Sequence, residues 1–277
     1  MNSRVDSVVN IGILEVRIDP DESIEKRIEK VLRILQGVQS GHFDLLVLPE
    51  LWISGAFDFK SNTSLSQSLL QEALLSISTL ANQKSTFIHS GTHPMKDSEG
   101  KLFNTAIIFD SLGQIVCKYN KIHLFGFDEG ERLVFEPGME VTVIDFKGRK
   151  IGVSTCYDLR FPELYINQIK QGAEVLLISA AWPTMRINHW NSLLQARAIE
   201  SQAYVIGCNA LGRSLDIELG GNSSIFSPTG QKLSPVSSQE IIEYEIELGL
   251  VSLARSDFPV LQDRVITVLS KGHVLGN

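Results

Sequence analysis

The chain has 277 residues, 43% of them hydrophobic, which is enough to build a sizeable core. Its net charge of -7 at pH 7, without any run of lysine or arginine, argues against nucleic acid or an anionic membrane as a partner. Three cysteines are too few for a disulfide framework and the six histidines are scattered, so we expect no metal site and no cofactor.

No targeting signal is evident in the sequence. The amino-terminal segment lacks the basic start and long apolar stretch of a signal peptide, and no apolar stretch is long enough to span a bilayer. We therefore predict a soluble cytoplasmic protein. Because composition does not change sharply along the chain, we also predict a single domain, residues 1–277, with its core at about 8–247 and a C-terminal extension at 248–277.

The first half of the chain alternates predicted strands and helices. A strand is predicted from Val8 to Val16, and apolar residues then recur at helical spacing from Ile24 to Leu35. The run from Asp44 to Leu48 is typical of a strand covered on both faces, and it ends in Pro49-Glu50. The other predicted elements of this half are a helix at 65–81 and strands at 86–91, 103–110 and 114–119.

The second half begins with a long loop at 121–138. Beyond it we predict strands at 141–146, 150–154, 175–179, 204–208, 223–227 and 241–246, and helices at 161–170 and 188–201. The glycine-rich segment 209–222 is predicted to be a mobile loop, like the tail. Hairpins together with strand–helix alternation predict mixed sheets covered by helices on the outside.

Three reactive residues each follow a predicted strand. These are Glu50, Lys121 and Cys156. A thiol needs a base to become the attacking thiolate, and a carbonyl under attack needs positive charge where its oxyanion forms. Taken singly, each residue has a plainer explanation as a cap, a surface charge or a small core residue. Together they supply a base, a cation and a nucleophile. A papain-like pair of Cys156 with His123 is an alternative.

Sequence motifs around these three residues resemble the nitrilase, or carbon-nitrogen hydrolase, superfamily. The motifs are LLVLPELW with Glu50, KIHLFGFDEGE with Lys121, and CYDLRFPELY with Cys156. The resemblance continues through 173–212 and 220–230, and so covers nearly the whole chain. The forms KIHLF, AAWP and FPVLQD are most similar to the ω-amidase branch, which hydrolyses amides of the 2-oxoglutaramate type.

This resemblance implies an α/β fold, a four-layer αββα sandwich of mixed sheets, and a homodimer. It implies that Glu50 is the general base, that Cys156 attacks the amide carbon to form a thioester, and that Lys121 and the backbone N–H of Tyr157 hold the oxyanion. A second glutamate is expected in the loop after the lysine. Counting back from the glycine that ends the loop places it at Glu131, with Glu129 and Glu136 as competitors.

The substrate-binding residues are less defined by the motifs. Arg160 and Arg186 are candidates for holding a substrate carboxylate, and Trp182, Phe125 and Phe57 for lining the pocket. For each of these side chains a purely structural role, in a salt bridge, at the surface or in the core, is an equally good interpretation. The sequence also departs from many relatives of the branch, because Ala210 stands where they have an arginine.

The leading hypothesis is therefore an amidase acting on small carboxylate-bearing amides, such as 2-oxoglutaramate or 2-oxosuccinamate, through a cysteine thioester. Within the same chemistry, an N-carbamoyl hydrolase, a deaminated-glutathione amidase or a nitrilase are alternatives. A non-catalytic binding protein that keeps the fold is a less favoured alternative, because all three reactive residue types are present.

Overall fold

The computed structural model describes residues 8–126 and 130–265. Within these ranges the strands are β1 (Val8–Ile13), β2 (Arg17–Ile18), β3 (Leu45–Val47), β4 (Phe87–Lys96), β5 (Leu102–Phe109), β6 (Ile115–Asn120), β7 (Thr142–Phe146), β8 (Arg149–Thr155), β9 (Val175–Ala180), β10 (Tyr204–Asn209), β11 (Leu211–Ser214), β12 (Ile217–Gly220), β13 (Ser224–Phe226), β14 (Ser237–Ser238) and β15 (Ile242–Glu247). The α-helices are α1 (Ile24–Gly37), α2 (Phe59–Ser64), α3 (Gln67–Lys84), α4 (Pro162–Lys170), α5 (Ile187–Ser201) and α6 (Gly249–Asp257). Short 3₁₀ helices span Gly130–Leu133, Cys156–Arg160, Thr184–Arg186 and Val260–Asp263.

Two mixed sheets form the centre of the molecule. The larger has the strand order β14-β15-β1-β3-β4-β5-β6, and the smaller has the order β13-β10-β9-β8-β7. In the larger sheet β3 runs parallel to both β1 and β4. In the smaller sheet β9 runs parallel to both β8 and β10. The continuous apolar runs of β3 and β9 follow from this central position, because both faces of each strand are covered.

The two sheets pack face to face and carry helices on their outer faces. Phe87 of β4 and Phe146 of β7 meet edge to face across the interface, with ring centroids 5.0 Å apart. On the outer face of the larger sheet, α1 presents Ile28, Val31 and Leu35 at helical spacing to one apolar cluster that α3 also joins. Helices α4 and α5 cover the smaller sheet in the same way. The predicted four-layer αββα sandwich is thus confirmed.

The predicted mobile loop at 209–222 is instead a hairpin, and this expectation was wrong. Strands β11 and β12 pair in an antiparallel fashion, and β2 joins β11 to make a small third sheet. The hairpin is anchored because Leu219 is buried in an apolar cluster that also holds Ile18. At Gly212 a Cβ would meet the carbonyl oxygen of Ile18 at 2.2 Å, so the glycine serves the close approach of β2 to β11.

Three smaller differences from the predicted elements remain. The strand predicted at 8–16 ends at Ile13, and α2 lies in a segment for which no helix or strand is predicted. Leu248 and Val251, just beyond the predicted core, are buried in the apolar cluster between the two sheets. None of the helices in the described ranges is both long enough and apolar enough to cross a membrane.

This topology brings several strand ends together. The carboxyl ends of β3, β8 and β9 all lead into loops, and the backbone N–H of Glu50, after β3, donates to the carbonyl of Ala180, at the end of β9, over 3.4 Å. That hydrogen bond joins the two sheets at one edge. In open α/β sheets such an edge is where ligands bind.

Candidate active site

Glu50 lies at this edge, three residues after β3, with only 2% of its surface exposed. Its carboxylate accepts three hydrogen bonds, which come from residues of both sheets and the segments that follow their strands. Oε1 accepts from Lys121 Nζ over 2.7 Å and from Asn104 Nδ2 over 2.9 Å, whereas Oε2 accepts from the backbone N–H of Ala181 over 3.0 Å. The backbone N–H of Glu50 also donates to the carbonyl of Ala180, so both the backbone and the side chain of Glu50 are held in a single orientation.

A bulge in the neighbouring strand shapes the turn that carries Glu50. The register of β4 against β5 shifts between His89 and Thr92. At Gly91 the φ angle is +84°, and a Cβ there would lie 2.2 Å from the carbonyl oxygen of Pro49. Thr92 accepts the backbone N–H of Leu51 through both its carbonyl and its hydroxyl. The residues on both sides of Glu50 are therefore fixed by the bulge.

Replacing Gly91 with alanine should displace this turn and lower activity. The added methyl group must push Pro49 away, and we expect a loss of about 1–3 kcal/mol in the free energy of unfolding. If Glu50 is the general base that the motifs imply, kcat should also fall about 10-fold or more, because a 1 Å misplacement of such a group is costly. Gly100→Ala is the matched control, since Gly100 has a φ of +81° with nothing within 4 Å of its Cβ position. Equal effects of the two substitutions on kcat would contradict a specific role for the bulge; urea unfolding and initial rates measure both quantities.

Lys121 lies directly after β6 and is almost completely buried, with 1% of its surface exposed. Its ammonium donates to Glu50 Oε1 over 2.7 Å and to the two carboxylate oxygens of Glu131 over 2.9 and 2.8 Å. Burial alone would lower the pKa of Lys121, but the negative charges of Glu131 and Glu50 outweigh it and hold that pKa well above its ordinary value. The side chain is therefore a fixed buried cation.

The carboxylate that shares Lys121 with Glu50 belongs to Glu131. Besides the bonds from the ammonium, this carboxylate accepts a hydrogen bond from Asn104 Nδ2 over 3.0 Å and another from the backbone N–H of Phe125 over 2.6 Å. Burial raises the pKa of Glu131 and Lys121 opposes that rise. Of the two competitors for this position, Glu136 has an exposed side chain, and Glu129 lies outside the described residues.

Cys156 begins a 3₁₀ helix immediately after β8. Its φ is +46°, a left-handed conformation that costs a non-glycine residue about 1–3 kcal/mol and is concentrated at functional sites. Burial, and then the negative charge of Glu50, raise the pKa of the Cys156 thiol well above its ordinary value, although Lys121 acts in the opposite direction. The thiol is therefore protonated at neutral pH and needs a base.

The turn that carries Cys156 is held by Asp158, whose side chain is completely buried. Its Oδ2 accepts from the Thr155 backbone N–H over 2.9 Å and from the Tyr119 hydroxyl over 2.7 Å. Its Oδ1 accepts from the His123 backbone N–H over 2.9 Å and lies 2.7 Å from His123 Nδ1. The carboxylate thus ties the cysteine turn to the segments on both sides of Lys121.

This arrangement does not favour the alternative pair of Cys156 with His123. The imidazole lies against Asp158 and stacks on the ring of Phe161, with centroids 3.8 Å apart and planes 8° apart. His123 is not among the side chains that line the pocket in front of the thiol.

A pocket opens in front of Cys156 and brings together Glu50, Lys121, Cys156 and Glu131 with all of the candidate substrate-binding residues. It is lined by Glu50, Ala56, Phe57, Lys121, Phe125, Glu131, Cys156, Tyr157, Arg160, Trp182, Pro183 and Arg186. The guanidinium of Arg160 lies over the ring of Trp182, 4.7 Å from its centroid. The rings of Phe125 and Tyr157 meet edge to face at 5.3 Å. Aromatic walls therefore surround a polar floor.

Sequence reasoning missed two polar residues that organise this floor, Asn104 and Asp158. Asn104 is completely buried and occupies a position of β5 that points between the sheets, next in the alternation to Ala106 and Ile108. A polar residue in the apolar phase of a strand was the available signal. Ala56 and Pro183 were also missed as lining residues, and nothing in their local sequence marks them. Among the described residues, no group of three or more metal-ligating side chains occurs.

Comparison with known proteins agrees with this geometry. Residues 10–256 match the sequence model of the carbon-nitrogen hydrolase family. The chain is 36% identical to a 2-oxoglutaramate amidase of Paenarthrobacter nicotinovorans, covering 92% of this chain and 89% of that protein. It is 37% identical to a 2-oxoglutaramate amidase of Bacillus subtilis, covering 88% of this chain and 92% of that protein.

A solved structure shows the same fold. Saccharomyces cerevisiae Nit3, a member of branch 10 of the nitrilase superfamily, superposes with a TM-score of 0.76 at 27% identity, covering 91% of this chain and 95% of that one. The resemblance seen in the motifs is confirmed over almost the full length of the described chain. This protein belongs to the carbon-nitrogen hydrolase family.

Proposed function

We propose that this protein is an amidase that hydrolyses the terminal amide of small carboxylate-bearing substrates, with 2-oxoglutaramate or 2-oxosuccinamate as the first candidates. The products are the 2-oxo acid and ammonia. The observation that carries the proposal is the buried ammonium of Lys121, held between the carboxylates of Glu50 and Glu131 at the floor of the pocket that Cys156 faces. Base, cation and thiol are thus fixed within one enclosed space.

The first half of the proposed reaction forms a thioester. Glu50 takes the proton of the Cys156 thiol, and the sulfur attacks the amide carbon while the carbonyl electron pair moves onto oxygen. Lys121 and the backbone N–H of Tyr157 stabilise that oxyanion. When the oxyanion collapses, the carbon–nitrogen bond breaks, and the proton held by Glu50 goes to the departing nitrogen, which leaves as ammonia.

The second half returns the enzyme to its starting state. Glu50, again ionised, takes a proton from water as the water oxygen attacks the thioester carbon. Collapse of this second oxyanion breaks the carbon–sulfur bond, releases the acid and restores the thiol with the proton from Glu50. Glu131 has a different role, because it holds the ammonium of Lys121 in place from the side opposite Glu50.

Two arginines account for the preference for a substrate with a carboxylate. Arg160 and Arg186 line the pocket, both are partly exposed, and neither takes part in an ion pair among the described residues. Arg160 is held at the pocket wall by the face of Trp182. A planar guanidinium without a carboxylate partner is suited to bidentate binding of a substrate carboxylate.

Ammonia release from a panel of compounds tests the substrate class. The panel contains 2-oxoglutaramate, 2-oxosuccinamate, a deaminated glutathione, an N-carbamoyl amine and a simple nitrile. We expect the highest kcat/KM with one of the two 2-oxo acid amides. A higher value for the carbamoyl amine or the nitrile would reject the proposed substrate class, while leaving the thioester chemistry to be tested separately.

Replacing Arg160 with methionine should weaken binding of the substrate carboxylate. Because a charge-assisted hydrogen bond contributes about 1.5–3 kcal/mol, we expect KM for 2-oxoglutaramate to rise about 10-fold to 100-fold. For a neutral amide of similar length, KM should change little. Arg213→Met is the matched control, since Arg213 is an exposed arginine of β11 away from the pocket lining. An equal rise of KM for charged and neutral amides would contradict carboxylate binding by Arg160.

We propose further that the chain acts in the cytoplasm as a single domain and as a homodimer. Exposed apolar side chains on neighbouring elements support a dimer, among them Ile199 of α5, Leu253 of α6 and Phe258. Light scattering coupled to size-exclusion chromatography measures the mass in solution. A monomeric mass at micromolar concentration would reject the dimer.

A further inference from the structure

Asn104, the third residue of β5, contacts Glu50, Lys121 and Glu131. Its side-chain Nδ2 donates to Glu50 Oε1 over 2.9 Å and to Glu131 Oε1 over 3.0 Å. Its main-chain carbonyl accepts the backbone N–H of Lys121 over 2.9 Å. None of its surface is exposed. The position of both carboxylates and of the lysine backbone therefore depends on this one residue.

The orientation of the Asn104 amide is set by the two carboxylates. Among the described residues, its Oδ1 has no hydrogen-bond partner although it is buried. Turning the amide over would place Oδ1 against Glu50 and Glu131, oxygen against oxygen. Leaving a buried carbonyl oxygen without a hydrogen bond is unfavourable. Its presence here indicates that the two hydrogen bonds donated by Nδ2 to the carboxylates contribute more than a hydrogen bond to Oδ1 would.

The charges around Asn104 explain why such donors are needed. Two carboxylates, Glu50 and Glu131, share the single ammonium of Lys121. Like charges at close range favour protonation of one member of the pair, whereas N–H donors favour the ionised form. Within residues 8–126 and 130–265, the other titratable or charged groups that line the same pocket are Cys156, Tyr157, Arg160 and Arg186.

We propose that Asn104 is a positioning residue for the hydrolysis proposed above, on which this inference rests. Its amide donors favour the ionised form of Glu131 and hold Glu50 in place as the base for Cys156. Since Asn104 is not among the side chains that line the pocket, its amide acts through the two carboxylates to which it donates. Its loss should therefore alter the dependence on pH as well as the rate.

Two variants of Asn104 test this role. Asn104→Leu keeps the size and removes the donor, and Asn104→Ser keeps one shorter donor. The rate at which iodoacetamide alkylates Cys156 is measured by mass spectrometry across a range of pH, together with kcat/KM for ammonia release. We expect the acid limb of both profiles to move to higher pH by about one unit or more in Asn104→Leu, and by less in Asn104→Ser. The reason is that the Asn104 N–H donors no longer oppose protonation of the carboxylates.

Thr86→Val is the matched control for loss of a buried hydrogen bond. Thr86 is also completely buried, and its hydroxyl donates to the Phe43 carbonyl over 2.9 Å, at the opposite end of the sheet from the site. This variant should lose stability without any movement of the acid limb. A merely structural role of Asn104 would make the three variants behave alike.

The outcomes separate this inference from the proposed function. An unmoved acid limb in a folded Asn104→Leu variant overturns the inference, even if ammonia release is observed. If Asn104→Leu does not fold, an unmoved limb in Asn104→Ser overturns it equally. If the parent protein releases no ammonia but the alkylation profile still shifts, the proposed reaction fails and the role of Asn104 is retained.

Discussion

Replacing Cys156 with serine should reduce ammonia release by about ten-thousand-fold or more, because loss of the proposed covalent nucleophile removes the whole thioester pathway rather than one contact. The substitution changes only one atom, so the backbone at φ +46° and the bonds of Asp158 to the turn should be retained. Steady-state rates measure the loss, and circular dichroism and urea unfolding check the fold. Intact-mass spectrometry of the parent protein during turnover should also show an acyl adduct on Cys156.

The chain provides two matched controls for this substitution. Cys117 and Cys208 are also buried and unpaired, and neither lines the pocket. Serine at either position should cost stability through burial of a hydroxyl, while kcat stays within a few-fold of the parent. Normal turnover by Cys156→Ser, or a loss of the same size in Cys117→Ser, would exclude Cys156 as the nucleophile.

Replacing Lys121 with methionine should affect both folding and catalysis. It leaves the buried carboxylates of Glu50 and Glu131 without their shared cation, and breaking a buried ion pair in this way costs about 3–5 kcal/mol. Loss of the positive charge at the proposed oxyanion position should lower kcat by about 100-fold to 1000-fold or more. The free energy of unfolding in urea and the initial rate give the two effects.

The stability loss in Lys121→Met should depend on pH in a defined direction. Without the ammonium, the pKa of Glu131, which burial already raises, should rise further, so its protonated form becomes accessible at mildly acidic pH. The variant should therefore be most destabilised at alkaline pH and recover part of the loss as the pH falls. Lys118→Met, at an exposed position of the same strand, is the control. A loss of stability that does not vary with pH would contradict the shared-cation arrangement.

The sequence was most informative where one local signal determined the structure. The helical spacing from Ile24 to Leu35 and the apolar runs of β3 and β9 predicted elements that the structure confirms, because burial of one or both faces fixes those patterns. The segment 209–222 could not be interpreted in this way. Its strands are four residues each and its glycines obscure the alternation, so pairing with β2, far away in the chain, decides its conformation.

The site shows the same division. Glu50, Lys121 and Cys156 could be predicted as one group because each follows a strand, and strand ends of one sheet edge meet in space, as they do in the pocket that all three line. Asn104 was missed because it lies inside a strand, where its only mark is polarity at an inward position. Its partners are 54 and 27 residues away in sequence, and no local pattern predicts contacts over such distances.

The division of the site between the two sheets has a consequence for the order in which the site forms during synthesis and folding. Glu50, Asn104 and Lys121 come from the larger sheet, and Cys156 comes from the smaller one. The larger sheet is completed only when β15, near the end of the chain, pairs with β1 at its beginning. On the ribosome, Cys156 therefore emerges long before β15 can pair with β1 and complete the sheet that carries Glu50, its proposed base. A nascent or partly unfolded chain lacks the arrangement of Glu50, Lys121 and Cys156 on which the proposed reactivity depends, and acquires it only when the two sheets have docked.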